Sequence, residues 1–190
     1  MTKVILDITM SLDGFIAGTG ISSEQPMGEN GPILHEWIFS EKTDADTKLL
    51  EDIVDNSGAV IVGERTYLTA IDIAWEGTSP FKVPAFVPAE KIPKNSVSGF
   101  TFITDGIDSV LAQAKAAAGD KNVWVMGGAN VAQQFIKARL LDELHIHIAN
   151  VLLGKGTRLF ENIGDKAIEL ERTAVVETPA ATHLKFVFKK

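Results

Sequence analysis

Glycines at two strand-to-helix corners are the residues best placed to do chemistry in this sequence. In Val123-Trp124-Val125-Met126 an apolar, β-rich run reads as a strand covered on both faces, and Val131, Phe135 and Ala138 then recur at helical spacing. Gly127 and Gly128 stand at the handover. Residues without side chains there let a ligand lie against the backbone, while the unpaired N–H groups and partial positive charge of a helix start favour an anion such as a pyrophosphate. Ala59-Val60-Ile61-Val62 followed by Gly63-Glu64-Arg65-Thr66-Tyr67 repeats the arrangement. Two such corners on parallel strands define one groove for an extended phosphate-bearing ligand. Arg65 and Thr66 read either as a guanidinium and a hydroxyl for that phosphate or as a surface cation and an ordinary helix residue.

Other strands must bring further groups to the same edge. Lys3 to Met10 reads as a central strand, and Ser11-Leu12-Asp13-Gly14-Phe15 follows it. Asp13-Gly14 is either a plain turn or a carboxylate projected from a strand end toward a ligand. Gly99 to Thr104 alternates as a strand and leads into a helix through Val110, Leu111 and Ala114 to Gly119, which puts Thr104 at a third strand end. Thr19 to Pro32 has no sustained period and reads as a long surface loop of the kind that binds or covers ligands. Trp37 and Phe39, directly after it, suit either core anchors or a pocket wall.

The remaining polar residues read as structural. Asp44, Asp46, Asp52 and Asp55 accompany Leu49, Leu50, Ile53 and Val54 at helical intervals, as the wet side of an amphipathic helix. His145 and His147 alternate with apolar residues on one face of the strand Glu143 to Ala149 and suit a structural or interfacial role. Gly154-Lys155-Gly156-Thr157-Arg158 lacks the spacing of a phosphate-cradling P-loop, which disfavours ATP hydrolysis. The chain closes with two antiparallel strands, around Ile168 to Glu177 and Thr182 to Lys189.

Composition bounds what these residues can serve. With 190 residues, 45% hydrophobic and 23% charged, the expectation is a single domain over 1–190. A formal net charge of −7 argues against nucleic acid or an anionic membrane as partner, so any anionic ligand must be held by local groups. There is no cysteine for a disulfide or thiolate metal site, and Met1-Thr2-Lys3-Val4 does not open like a signal peptide. The expected setting is the cytoplasm, the expected ligand a small molecule, and no metal is expected.

On these motifs the chain resembles the dihydrofolate reductase-like superfamily, and more closely the bacterial proteins related to the reductase domain of the riboflavin-pathway deaminase-reductase. Ser11 to Ala17 looks like that family's first-strand motif, His35-Glu36-Trp37-Ile38-Phe39 its loop exit, Gly63 to Tyr67 its cofactor motif and Val125 to Ala129 its diglycine. The resemblance implies an α/β three-layer fold, with a mixed, mainly parallel sheet flanked by helices and a C-terminal antiparallel hairpin. It also implies NADPH-dependent hydride transfer to a small heterocyclic or carbonyl substrate, in a homodimer. Gly127, Gly128, Ala129, Asn130 and Val131 would then bind the pyrophosphate, and Gly63, Arg65, Thr66 and Thr104 the adenosine-phosphate side. Ile16 and Ala17 would lie against the nicotinamide, Asp13 would orient substrate or relay a proton, and Trp37 would form a pocket wall. Two residues depart from the family pattern. Glu64 stands where an arginine often meets the 2′-phosphate, which leaves NADH open, and Met126 replaces a substrate-binding glutamate before the diglycine. A rival class keeps the nucleotide groove without the chemistry, as a sensor or partner-binding protein.

Overall fold

A computed structural model describes residues 2–40, 42–94 and 96–189. The chain runs β1 (Val4–Ser11), β2 (Phe15–Ala17), a 3-10 turn (Gly31–His35), α1 (Glu36–Phe39), α2 (Asp44–Asn56), β3 (Ser57–Val62), α3 (Glu64–Ala70), β4 (Ala85–Pro88) and β5 (Phe100–Ile103). It continues through α4 (Ile107–Ala118), β6 (Asn122–Gly127), α5 (Ala129–Lys137), β7 (Glu143–Ala149), β8 (Thr157–Arg158), β9 (Leu170–Glu177) and β10 (Ala181–Phe188).

Eight strands form one sheet in the order β5-β4-β3-β6-β1-β7-β10-β9. Pairing is parallel from β5 to β7 and antiparallel where β10 meets β7 and β9, which makes the C-terminal hairpin. The middle strands read as unbroken apolar runs because both of their faces are covered. In β3, Ala59 and Ile61 belong to one buried cluster while Val60 and Val62 belong to another on the opposite face. Each such side chain, fully withdrawn from water, contributes roughly 1.5–3 kcal/mol. From β3 the chain lays β4 and β5 outward on one side, then returns to place β6 on the other. That reversal is the crevice at which open α/β sheets bind ligands.

Short elements between the regular ones escape the periodicity argument. β2 and β8 pair in a second, two-stranded antiparallel sheet, and the 3-10 turn with α1 follows the long loop. Among the described residues, no helix is long and apolar enough to cross a membrane.

Asp46 corrects the wet-face reading of α2, because it is fully buried. It sits at the third position of the helix in a capping box: Asp46 accepts from the Thr43 amide at 2.8 Å, and the Thr43 hydroxyl accepts from the Asp46 amide. Its Oδ1 also lies 2.9 Å from His183 Nε2. Capping and the close approach of the His183 ring hold a carboxylate inside that helical spacing alone would place in solvent.

Candidate functional site

Three helices begin at the same end of the sheet, each behind a glycine. α3 follows Gly63, α4 follows Gly106 and α5 follows Gly128, and none of the three has a side-chain hydrogen bond at its cap. By contrast α2, whose first turn lies against His183 of β10, carries a full capping box. The three starts therefore present N–H groups and positive partial charge into one space. That space is a cavity of about 500 Å³, whose wall includes Gly63, Arg65, Thr66 and Thr104 from one side. Gly128, Ala129, Asn130 and Val131 line the other.

Close packing of the two glycine corners sets the shape of this cavity. The Gly63 amide donates to the Gly127 carbonyl at 2.6 Å, and the Gly128 amide to the Thr66 hydroxyl at 3.1 Å. A Cβ on Gly63 would stand 3.0 Å from the Gly128 nitrogen, and Gly127 has φ +106. Side chains at this corner would close the space that a ligand needs. Gly127 does not itself line the cavity; its part is to hold Gly63.

A second cavity, about 190 Å³, adjoins the first and shares Arg65, Thr66 and Gly128 with it. Its wall is largely apolar, with Ile8, Ile16, Ala17 and Met126 from strands, Trp75 from the α3–β4 connection, and Ile21, Pro26 and Met27 from the long loop. Thr9 and His35 are also on it. Among the described residues lining the two cavities, Arg65 is the one cation. Glu64 and Glu90 border the larger cavity, and no carboxylate borders the smaller.

Besides Gly127, two expected residues lie outside both cavities. Asp13 accepts from the Leu153 amide at 3.0 Å, the Gly154 amide at 2.7 Å and the Ser11 hydroxyl at 2.6 Å. These bonds, the Ser11 hydroxyl foremost, hold its carboxyl below the usual carboxylate range. Asp13 thus pins the loop after β7 to the β1–β2 turn, and its acceptors are committed there. Trp37 is 2% exposed, with its ring 4.4 Å from that of His147 and 4.9 Å from that of His183. It reaches the smaller cavity indirectly, because its Nε1–H donates to the Thr9 hydroxyl at 3.1 Å.

Behind Trp37 runs a buried polar chain. His145 Nδ1 lies 3.3 Å from Asp7 Oδ2, Asp7 Oδ1 lies 3.1 Å from His147 Nε2, and His147 Nδ1 lies 2.7 Å from His183 Nδ1. Burial works against the charge on Asp7, yet His147 and His145 hold its carboxyl well below the ordinary range. Burial and then His147 push His183 down, with Asp46 opposing. Burial, opposed by the Gly31 carbonyl and reinforced by His147, pulls the His35 imidazole down to about 4. His35 is therefore neutral near pH 7.

Thr9 and His35 carry polar atoms into the smaller cavity, yet they stand outside the expected ligand contacts. The available signal for Thr9 was a hydroxyl two residues from Asp7 in an otherwise apolar strand, on the face shared with His147. For His35 it was only its place at the end of the long loop.

Known proteins share this fold. The RibD C-terminal domain profile matches residues 2–184. The uncharacterized protein YwjB of Bacillus subtilis (strain 168) is 28% identical over 166 residues, covering 85% of this chain and 84% of its own. A deaminase/5-amino-6-(5-phosphoribosylamino)uracil reductase of Thermotoga maritima superposes with a TM-score of 0.70 at 18% identity, over 99% of this chain and 57% of that one. Dihydrofolate reductase from Enterococcus faecalis, solved with NADP(H) and RAB-propyl, superposes with a TM-score of 0.66 at 15% identity, over 99% and 97%. The fold is dihydrofolate reductase-like, and the chain belongs to the RibD C-terminal domain family.

Proposed function

We propose that the protein is a nicotinamide-dependent reductase that passes hydride to a small heterocyclic or carbonyl substrate. The observation that carries this reading is the pair of adjoining cavities. One is walled by three uncapped helix starts, the other is apolar, and they share Arg65, Thr66 and Gly128. A dinucleotide has the same division, with anionic phosphates and a sugar at one end and a flat ring at the other.

The residues present fit such a group. Amides at the start of α5 and the Arg65 guanidinium would meet the pyrophosphate, and Gly63 and Thr104 would border the adenosine side. Ile16 and Ala17 would take the ring face by contact with backbone and small side chains. When bound, the nicotinamide supplies the hydride. The protein's own part is to hold the acceptor carbon in line while Ile8, Ile16 and Met126 keep water away. The likeness to a dihydrofolate reductase solved with NADP(H) supports this cofactor class. Glu64 and Glu90 on the larger wall disfavour a 2′-phosphate, so NADH competes with NADPH.

Titration with NADPH and with NADH, followed by tryptophan fluorescence, tests the reading, since Trp75 borders the smaller cavity. Saturable binding of one or both, followed by cofactor oxidation with a panel of carbonyl and heterocyclic acceptors, is expected. Binding without turnover on any acceptor would favour a nucleotide sensor, and absence of binding would reject the site altogether.

A further inference from the structure

The smaller cavity has a polar pattern that narrows what its occupant can be. Thr9 is 5% exposed and its hydroxyl oxygen accepts the Trp37 indole N–H at 3.1 Å. Trp37 cannot turn away, because its ring is packed between His147 and His183, and His147 is itself tied to Asp7 and His183. The Thr9 oxygen is thus a committed acceptor, while its own proton has no acceptor among the described residues. A hydroxyl fixed in this way on a cavity wall offers a donor to whatever enters. The second polar group is His35, whose Nδ1 is shut off from solvent.

No carboxylate lines this cavity among the described residues. A basic, amino-substituted heterocycle becomes cationic when bound in an apolar site only if an acid is there to pair with it. Here its charge would have Arg65 for a neighbour. A carbonyl oxygen, by contrast, is the natural acceptor for the stranded Thr9 proton.

We infer that the smaller cavity selects a neutral, carbonyl-bearing ring over a basic amino-heterocycle, with the Thr9 hydroxyl donating to the carbonyl oxygen and Trp37 acting as the positioning residue behind it. The inference rests on the reductase reading and sharpens its substrate class. Hydride delivered to the carbonyl carbon leaves a negative oxygen that takes its proton from water; the Thr9 bond would strengthen as that charge gathers, so Thr9 would favour reaction as well as binding.

The test uses two probes, cyclohex-2-enone and 2,4-diaminopyrimidine, whose binding to the cofactor-saturated protein is measured by saturation-transfer NMR. The wild type is expected to bind the enone and not the diaminopyrimidine. Thr9→Val should weaken enone binding about tenfold, the worth of one hydrogen bond to a buried group. Thr9→Ser, which keeps the O–H, should restore most of it. Cofactor affinity measured on the same samples should be unchanged in both variants, which shows that the fold is intact. Preference for the diaminopyrimidine, failure of both probes to bind, or an enone affinity indifferent to Thr9→Val would overturn the inference. Loss of cofactor binding by the wild type would instead reject the reductase reading beneath it.

Discussion

Arg65 stands where the two cavities meet and is the cation that borders them, so an anion at that neck must meet its guanidinium. It is held within reach of Thr157, 3.4 Å from its Nη2, and is otherwise open to a ligand. Replacing it with alanine removes a charge-assisted contact worth roughly tenfold in affinity. If the contact is to the pyrophosphate, Arg65→Ala weakens NADPH and NADH equally in a fluorescence titration; if it is to a 2′-phosphate, only NADPH suffers. Glu64→Gln is expected to act in the opposite sense and on one cofactor alone, tightening NADPH about two- to fivefold while leaving NADH as it was, because an exposed like charge costs a fraction of a kcal/mol. Gly63 is the least replaceable residue here. An added Cβ meets backbone of the neighbouring corner at 3.0 and 3.3 Å, which cannot move aside as a side-chain tip can. Gly63→Ala should therefore lower stability by about 1–3 kcal/mol in urea denaturation and weaken cofactor binding with it.

At the scale of the elements, what the sequence made legible depended on how local the cause was. Strands covered on both faces announce themselves as apolar runs, and glycines at their ends mark the corners, so β3, β6 and the groove between them follow from pattern alone. Asp46 and Trp37 could not be placed that way. Asp46 has a local partner in the Thr43 cap, but the rings packed against both residues lie far along the chain, His183 and His147, and the pairing of β7 with β10 brings those histidines together. Asp13 lies outside the cavities for a related reason: besides the Ser11 hydroxyl, its partners are amides of the loop after β7, some 140 positions away. Asp13→Asn should leave cofactor affinity unchanged and speed amide exchange across 152–156, since an amide side chain can satisfy only one of those two donors with its oxygen in place. The buried histidines make the fold sensitive to acid. Both His35 and His183 have folded-state pKa values below that of the free side chain, so between pH 6.5 and about 4 the unfolded chain takes up protons that the folded one refuses. Stability is therefore complete above that window and falls as pH drops through it. Asp7, depressed in the folded state, adds a further loss only below its ordinary value of roughly 3.9. Urea midpoints at pH 7.5 and 4.5 should show a smaller loss in His35→Gln than in the wild type, by about 2 kcal/mol.

The whole molecule can be read as a sheet whose ligand end is built from gaps, and gaps have a thermodynamic signature. Uncapped helix starts and an apolar cavity leave donors and surface unsatisfied, so the protein without ligand sits below the stability that its core alone would give. A group that reaches from the larger cavity into the smaller binds the folded chain and not the unfolded one, which raises stability by RT ln(1 + [L]/Kd), about 2.7 kcal/mol at a hundredfold excess over Kd. For a chain of this length each kcal/mol moves the melting midpoint by roughly 2–4 °C, so the expected shift is about 5–10 °C. Self-association would stabilise the fold by the same mass action. The outer strand β9 leaves Val175 44% exposed, and Val187 on β10 is 37% exposed, which is where we propose a second copy packs. The melts are therefore compared at one protein concentration, with the mass in solution measured by light scattering. NADPH or NADH at that excess should shift the wild type by the full amount and Gly63→Ala by less, whereas inorganic phosphate, which can engage the helix starts but not the apolar cavity, should give only a fraction. A shift from phosphate as large as that from the dinucleotide would mean that the two cavities do not act as one site.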